Sequence, residues 1–114
     1  MIKILILDDH QLFIDGLVHS FFHDPQITVV GYAISGAVGI NLIELHNPDV
    51  VLLDIDFTKT NENGLEILKQ IRKINSLVKV IVLTGYSDKT LVENLHKEKA
   101  NGYLLKNIDF EILR

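Results

Sequence analysis

The run Val50–Asp54 constrains the fold of this chain more than any other stretch, because four branched apolar residues end abruptly in a carboxylate. A short, uninterrupted apolar run with two β-branched members is typical of a strand buried on both faces of a parallel sheet. Such a strand can carry a charge only at its end. Ligands of open α/β sheets bind just beyond the carboxyl ends of the strands, which makes Asp54 a candidate site residue. Taken alone, Asp54 equally fits a turn or a helix cap.

Other strand-like runs and helical patterns alternate along the rest of the chain. Besides the opening run, the sequence predicts strands at residues 3–7, 27–33, 79–84 and 103–105. Apolar periodicity predicts helices at residues 11–23, 35–46 and 65–75, a fourth helix capped by Ser87 or Asp88, and a fifth, truncated helix from Asn107. The second helix is expected to bury Val38, Leu42 and Leu45. Alternation of this kind implies right-handed crossovers and one doubly wound, flavodoxin-like parallel sheet of five strands.

Polar residues stand at the carboxyl ends of these strands. In the doubly wound order 2-1-3-4-5, strands 1 and 3 are neighbours at the topological switch point, so Asp8, Asp9 and Asp54 are brought together. Three carboxylates in one crevice repel one another unless a cation lies among them or their pKa values rise. The cluster therefore predicts a hard divalent ion, with Mg²⁺ as the first candidate and Mn²⁺ as a second.

Thr84 and Lys106, at the ends of strands 4 and 5, approach the same crevice. A hydroxyl and an ammonium group beside a metal-bound carboxylate can stabilise the oxygens of a transferring phosphoryl group. An aspartate can attack phosphorus and form an acyl phosphate, and this role is assigned to Asp54.

The ordered set Asp8-Asp9, Asp54, Thr84 and Lys106 resembles the receiver domain of two-component response regulators over nearly the whole chain. The resemblance implies that Asp54 accepts a phosphoryl group from a histidine kinase or phosphotransfer protein, and that the domain signals rather than acting as an enzyme. It further implies that Mg²⁺ is bound by Asp9, Asp54 and the backbone carbonyl of Asp56, and by Asp8 through water. Thr84 and Lys106 would contact the phosphoryl oxygens. Tyr103 would be the aromatic side chain that switches between two positions.

Two stretches look most like the subfamily whose receiver precedes a helix-turn-helix domain. They are residues 8–13 with Gly16-Leu17, and residues 102–106. All 114 residues are assigned to the receiver, so DNA binding and control of transcription would require an output domain outside them. The resemblance also implies that a homodimer can form through helix 4, strand 5 and helix 5.

The stretch after Asp54 departs from the family pattern. Phe57-Thr58 replace a common Met-Pro pair, and Gly64 comes ten rather than eight residues after the phosphoacceptor. The loop is thus two residues longer than usual. Asp56 adds a carboxylate near the phosphoryl position, and we expect it to alter autodephosphorylation.

Two other functions fit parts of the sequence. Residues 54–58 match the Asp-x-Asp-x-Thr motif of haloacid-dehalogenase-like phosphatases, although that motif normally lies on the first strand and its paired acids come last. A degenerate receiver that acts only as a phosphorylation-independent interaction module is the second alternative, because the loop is altered.

The amino-acid composition excludes or disfavours several other kinds of site and function. The chain has 114 residues, which suits one domain, and it has no cysteine, which excludes disulfides and zinc–thiolate sites. A net charge of -4 without clustered Lys and Arg argues against nucleic-acid binding by these residues. The apolar run 2–7 is too short to span a membrane, and a cytoplasmic location is expected. The histidines are expected to be surface residues outside any metal site: His10, His19, His23, His46 and His96.

Overall fold

The computed structural model of the chain describes residues 1–57, 62–85 and 89–106. In chain order its strands are β1 (Ile2–Leu7), β2 (Ile27–Ala33), β3 (Val50–Asp54), β4 (Asp56–Phe57), β5 (Glu62–Asn63), β6 (Lys79–Thr84) and β7 (Gly102–Leu105). Its helices are α1 (Gln11–Phe22), α2 (Gly36–His46), α3 (Gly64–Ile74) and α4 (Lys89–Lys97). The predicted fifth helix from Asn107 and the predicted caps Ser87 and Asp88 lie outside the described residues.

Five strands form one parallel sheet in the order β2-β1-β3-β6-β7. Counting these five alone, this is the order 2-1-3-4-5, so the predicted doubly wound topology is confirmed. The register pairs Leu7 with Leu53 and Asp54 with Leu83. The carboxyl ends of β1, β3 and β6 therefore stop at one edge of the sheet, where the predicted polar residues follow.

The sheet is buried on both faces, as the apolar composition of β3 predicts. On one face Leu5, Leu7, Val51 and Leu53 pack with residues of α2, α3 and α4. On the other face the core residues of the strands pack against α1 and include Ile4, Ile6, Leu52 and Leu83. The central strands consequently bury most of their side chains.

The buried face of α2 differs from the predicted one. Val38 and Leu45 are 50% and 73% exposed, whereas Gly36, Gly39 and Ile43 are buried. A Cβ atom at Gly39 would lie 2.3 Å from Cδ2 of Leu7, so the helix approaches β1 more closely than a larger residue would allow. The predicted face was chosen from the positions of large apolar side chains. The observed buried face instead contains two glycines, which that criterion does not detect.

An antiparallel pair that the sequence did not predict lies in the loop after Asp54. Asp56 of β4 pairs with Asn63 of β5, and Phe57 pairs with Glu62. Strands of two residues are too short for an alternating pattern to reveal them. The residues between these strands, including Thr58 of the altered loop, lie outside the described part of the chain.

Arg72, near the end of α3, ties together the loops at the edge of the sheet opposite to the site. Its guanidinium donates hydrogen bonds to the carbonyl oxygens of Lys99, Asn75 and Val78 and to Oδ1 of Asn101. Burial lowers the pKa of the Arg72 guanidinium. The acceptors stabilise its charged form and join the end of α3 to the segments before β6 and β7.

No helix among the described residues is both long and apolar enough to cross a lipid bilayer.

Candidate functional site

Three buried carboxylates meet where β1 and β3 end. Asp54 is the last residue of β3, and Asp8 and Asp9 follow β1 directly. These three residues are 0%, 0% and 3% exposed, respectively. We call Asp8, Asp9 and Asp54 the acidic cluster. The structure thus brings together the three acids that the sequence predicted at the switch point.

Thr84 and Lys106 extend the site across the neighbouring strands. Thr84 ends β6 and is fully buried, and the backbone N–H of Lys106 donates to the Thr84 carbonyl oxygen at 2.7 Å. The N–H of Ile55 donates to the carbonyl oxygen of Leu83 at 3.0 Å. These backbone hydrogen bonds continue the pairing beyond the ladders and hold the strand ends in register.

The ammonium group of Lys106 is the main cationic partner that the structure gives to the acidic cluster. Its Nζ lies 2.9 Å from Oδ2 of Asp8 and 3.4 Å from Oδ1 of Asp54. The same Nζ lies 4.6 Å from the centre of the Phe13 ring, which belongs to α1. An ammonium over an aromatic face gains further electrostatic stabilisation, so Phe13 helps to orient Lys106 toward the carboxylates.

His10 also belongs to this site: its side chain is partly exposed, as expected of a surface histidine, but its ring contacts the acidic cluster. Its Nδ1 lies 2.9 Å from Oδ1 of Asp8, 3.2 Å from Oδ1 of Asp9 and 3.5 Å from Oδ2 of Asp54. Nζ of Lys106 lies 3.1 Å from the same nitrogen. The side chain is 39% exposed, so His10 closes the acidic cluster on its solvent side.

A turn at the end of β1 directs His10 into the acidic cluster. Its backbone N–H donates to Oδ1 of Asp8 at 2.8 Å, and the ring makes no capping hydrogen bond although His10 is the N-cap residue of α1. An aspartate that bonds the backbone two residues later is a recognised turn signal, so the sequence held a clue to this arrangement. For Phe13 no comparable signal exists, because its position fits an ordinary core residue of an amphipathic helix.

The donor set fits a divalent cation. Asp8, Asp9, His10 and Asp54 each offer one ligand atom, and these atoms all lie within 4.8 Å of one another. Three carboxylate oxygens are the ligands that Mg²⁺ and Mn²⁺ prefer. The predicted fourth oxygen, the backbone carbonyl of Asp56, belongs to the residue that begins β4, two positions beyond Asp54.

Gly64 brings the start of α3 against the segment that leaves Asp54. A Cβ atom at this position would lie 2.6 Å from both Cα and the carbonyl oxygen of Ile55. Asn63 caps the helix by accepting a hydrogen bond from the Leu65 N–H at 2.9 Å. In this longer loop, the glycine ten residues after Asp54 is therefore the one that permits close backbone contact beside the site.

Tyr103 lies on β7, next to the strand that bears Thr84. It pairs with Val82 in the parallel register, and the residue is 39% exposed. Tyr103 is thus partly exposed on the edge strand.

Comparisons with known proteins agree with this arrangement. A family model described as the response regulator receiver domain matches residues 4–114. The transcriptional regulatory protein DegU of Brevibacillus brevis is 38% identical over 112 residues, which cover 98% of this chain and 47% of DegU. The nitrate/nitrite response regulator NarL of Escherichia coli K12 is 36% identical over 110 residues, which cover 96% of this chain and 50% of NarL. The chain thus spans about half the length of these relatives.

Solved structures agree on the fold. The signal receiver domain of NarL from Mycobacterium tuberculosis superposes with a TM-score of 0.84 at 29% identity, covering 96% of this chain and 86% of that one. A DNA-binding response regulator of the LuxR family from Staphylococcus aureus gives 0.86 at 27% identity, covering 99% and 92%. The phosphatase alternative gains no support, since Asp54 ends the third strand and the paired acids follow the first. The chain belongs to the response regulator receiver domain family.

Proposed function

We propose that this receiver domain accepts a phosphoryl group on Asp54 from a histidine kinase or a phosphotransfer protein. The observation that carries the proposal is the position of the buried Asp54 carboxylate, 3.4 Å from the Lys106 ammonium and beside Asp8 and Asp9. Receiver domains as a family interact with histidine kinases and other phosphodonors, and they generally act as signalling domains rather than enzymes. A non-enzymatic signalling role is therefore proposed for this chain.

The proposed transfer is a displacement at phosphorus. An Asp54 carboxylate oxygen attacks the phosphorus of a phosphohistidine, the P–N bond breaks, and the imidazole takes the electron pair and then a proton. The product is an acyl phosphate on Asp54. Lys106 is proposed to stabilise the negative charge on the phosphoryl oxygens, and Thr84 is proposed to donate its hydroxyl to one of them.

Mg²⁺, or Mn²⁺ in its place, is proposed as the cofactor. Asp9, Asp54 and the backbone carbonyl of Asp56 would hold it directly, and Asp8 would hold it through water. When bound, the ion supplies positive charge that offsets the carboxylates and the phosphoryl oxygens. The support from this chain is the donor set of the acidic cluster.

Phosphorylation is proposed to change the surface formed by α4 and β7. It adds about -1.5 to -2 charges beside two groups that can follow this charge, Thr84 and Lys106. Their movement would favour an inward position of Tyr103 and so bias a surface with two states. Homodimerisation through α4, β7 and the fifth helix, or docking of a partner there, is the proposed consequence.

The proposed output is control of transcription. We assign residues 1–114 to the receiver domain and place DNA binding in an output domain outside these residues. Support comes from the names of the relatives, DegU as a transcriptional regulatory protein and NarL as a response regulator. A cytoplasmic location, as the sequence predicted, is part of the same proposal.

Labelling by a small phosphodonor tests the proposal. The chain is incubated with acetyl phosphate and Mg²⁺, and its intact mass is measured with and without EDTA. We expect a mass increase of one phosphoryl group that requires Mg²⁺ and is absent from Asp54→Asn. An unlabelled wild-type chain would instead favour the degenerate interaction module, and release of inorganic phosphate in many turnovers would favour the phosphatase.

Thr84→Ala is expected to separate phosphorylation from its consequence. Labelling of Asp54 should reach the wild-type extent, because the carboxylate and Lys106 are unchanged, while any change in oligomeric state on phosphorylation should disappear. Sedimentation velocity with and without acetyl phosphate measures this change. Thr28→Ala is the matched control, since Thr28 lies on the edge strand β2, which β1 and β3 separate from the strand that bears Thr84. A full response in Thr84→Ala would contradict the proposed switch.

A further inference from the structure

His10 places a nitrogen donor directly among the oxygens of the acidic cluster. Its Nδ1 lies 2.9 Å, 3.2 Å and 3.5 Å from single oxygens of Asp8, Asp9 and Asp54. The local chain holds the ring in this position, because His10 directly follows Asp9 and its backbone N–H donates a hydrogen bond to Asp8. The backbone of His10 is extended, with φ of -102° and ψ of 95°, so no unusual conformation is needed.

The spacing of these atoms matches that of ligands sharing one metal ion. With metal–ligand bonds of about 2.1 Å, neighbouring ligands are about 3.0 Å apart at right angles and about 3.4 Å apart in a tetrahedron. The distances of 2.9, 3.2 and 3.5 Å from Nδ1 to the three oxygens lie at or close to these values. The distances from Nδ1 to the oxygens of Asp9 and Asp54, the two carboxylates proposed to bind the ion directly, are therefore those of ligands that share one ion.

We propose that Nδ1 of His10 is an additional ligand of the divalent ion held by the acidic cluster. The proposal rests on the proposed metal-binding function of that cluster and adds a nitrogen ligand to it. The lone pair of Nδ1 makes the bond, and the ring proton resides on Nε2. Imidazole nitrogen favours Ni²⁺, Co²⁺ and Zn²⁺, whereas an all-oxygen set suits Mg²⁺ and Mn²⁺. This domain then binds Ni²⁺ more tightly relative to Mg²⁺ than three carboxylates alone would.

Calorimetric titration of the 114-residue chain with Ni²⁺ and with Mg²⁺ tests the proposal. His10→Ala should lower the Ni²⁺ affinity of the tight site by about 10-fold to 100-fold. The Mg²⁺ affinity should fall by a smaller factor, because Mg²⁺ depends mainly on oxygen ligands that the variant keeps. Mg²⁺ binding that persists in the variant also shows that the acidic cluster has kept its structure.

The matched control is His23→Ala. His19 and His23 form a separate pair of rings with centroids 5.8 Å apart, and both are exposed. This pair could bind Ni²⁺ weakly on its own, so the control separates its contribution from that of His10. We expect the tight Ni²⁺ site to persist in His23→Ala, and loss of that site there would overturn the proposal.

Electron paramagnetic resonance of bound Mn²⁺ gives a readout that does not depend on affinity. In protein labelled with ¹⁵N-histidine, the proposal predicts a coupling from a directly bound nitrogen, and this coupling should vanish in His10→Ala. Absence of the coupling from the wild-type spectrum would overturn the proposal. Equal Ni²⁺ affinities, or higher affinities for both ions in His10→Ala, would do the same, the latter because the ring would then compete with the metal.

Measuring phosphorylation together with Ni²⁺ binding distinguishes a failure of the proposed His10 ligand from a failure of the proposed phosphoacceptor function. If His10→Ala and the wild type take up phosphoryl groups equally with Mg²⁺ and also bind Ni²⁺ equally, the inference fails and the phosphoacceptor function stands. If the wild type binds Ni²⁺ through His10 but is never labelled on Asp54, the metal site stands and the phosphoacceptor function fails.

Discussion

Lys106→Met is expected to lower the free energy of unfolding in EDTA by about 2–3 kcal/mol, because it removes one partner of a buried ion pair. Nζ of Lys106 lies 2.9 Å from Asp8 and 3.4 Å from Asp54, and both carboxylates are fully buried. Without the ammonium group these negative charges repel one another in a site that water barely reaches. Methionine keeps the length of the apolar stem, so the loss reports on charge rather than on packing.

Urea denaturation at neutral pH measures this loss. Lys97→Met on the exposed side of α4 is the control, with an expected change within about 0.5 kcal/mol. Adding Mg²⁺ should stabilise Lys106→Met more than the wild type, because the ion then supplies the missing positive charge. Equal urea midpoints for wild type and Lys106→Met in EDTA would contradict the account of charge balance in the acidic cluster.

Gly64→Ala is expected to destabilise the domain by about 2–3 kcal/mol, since overpacking of a tight contact has costs of this size. The added Cβ would lie 2.6 Å from the Ile55 backbone, which cannot swing aside as a flexible side chain can. Relief of the clash must move α3 or the segment that follows Asp54. We therefore also expect weaker Mg²⁺ binding, because the Asp56 carbonyl belongs to that segment.

Gly102→Ala is the matched control for this substitution. A Cβ atom at Gly102 would meet no atom within 4 Å, and this glycine begins β7, at the end of the strand away from the site. We expect its stability to stay within about 0.5 kcal/mol of the wild type. A Gly64→Ala protein as stable as Gly102→Ala would show that the backbone contact with Ile55 is not tight.

The positions at the strand ends could be predicted from the sequence because each follows a buried apolar run. Asp54 after β3, Asp8 and Asp9 after β1, and Thr84 at the end of β6 needed only the alternation of strands and helices. Parallel strands of a doubly wound sheet end at one edge, so local pattern and topology together determine where these side chains meet.

Features that depend on side-chain direction or on small residues could not be predicted in this way. The periodicity of α2 pointed to Val38 and Leu45, but close packing at Gly39 turned a different face toward β1. The contact of the His10 ring with Asp8 and Asp9 could not be predicted, because nothing in the apolar periodicity shows where this ring turns. The strands β4 and β5 have two residues each, which is too few for a sequence pattern to reveal them.

The chemical identity of the phosphorylated residue tests the proposed phosphoacceptor role of Asp54 most directly. After treatment with acetyl phosphate and Mg²⁺, reduction with borodeuteride converts an aspartyl phosphate into deuterated homoserine, which peptide mapping by mass spectrometry locates. We predict deuterated homoserine at position 54 and at no other aspartate, including Asp8, Asp9 and Asp56. Deuterated homoserine at another aspartate, or its absence from a chain that carries a phosphoryl group, would contradict the assignment of Asp54 as phosphoacceptor.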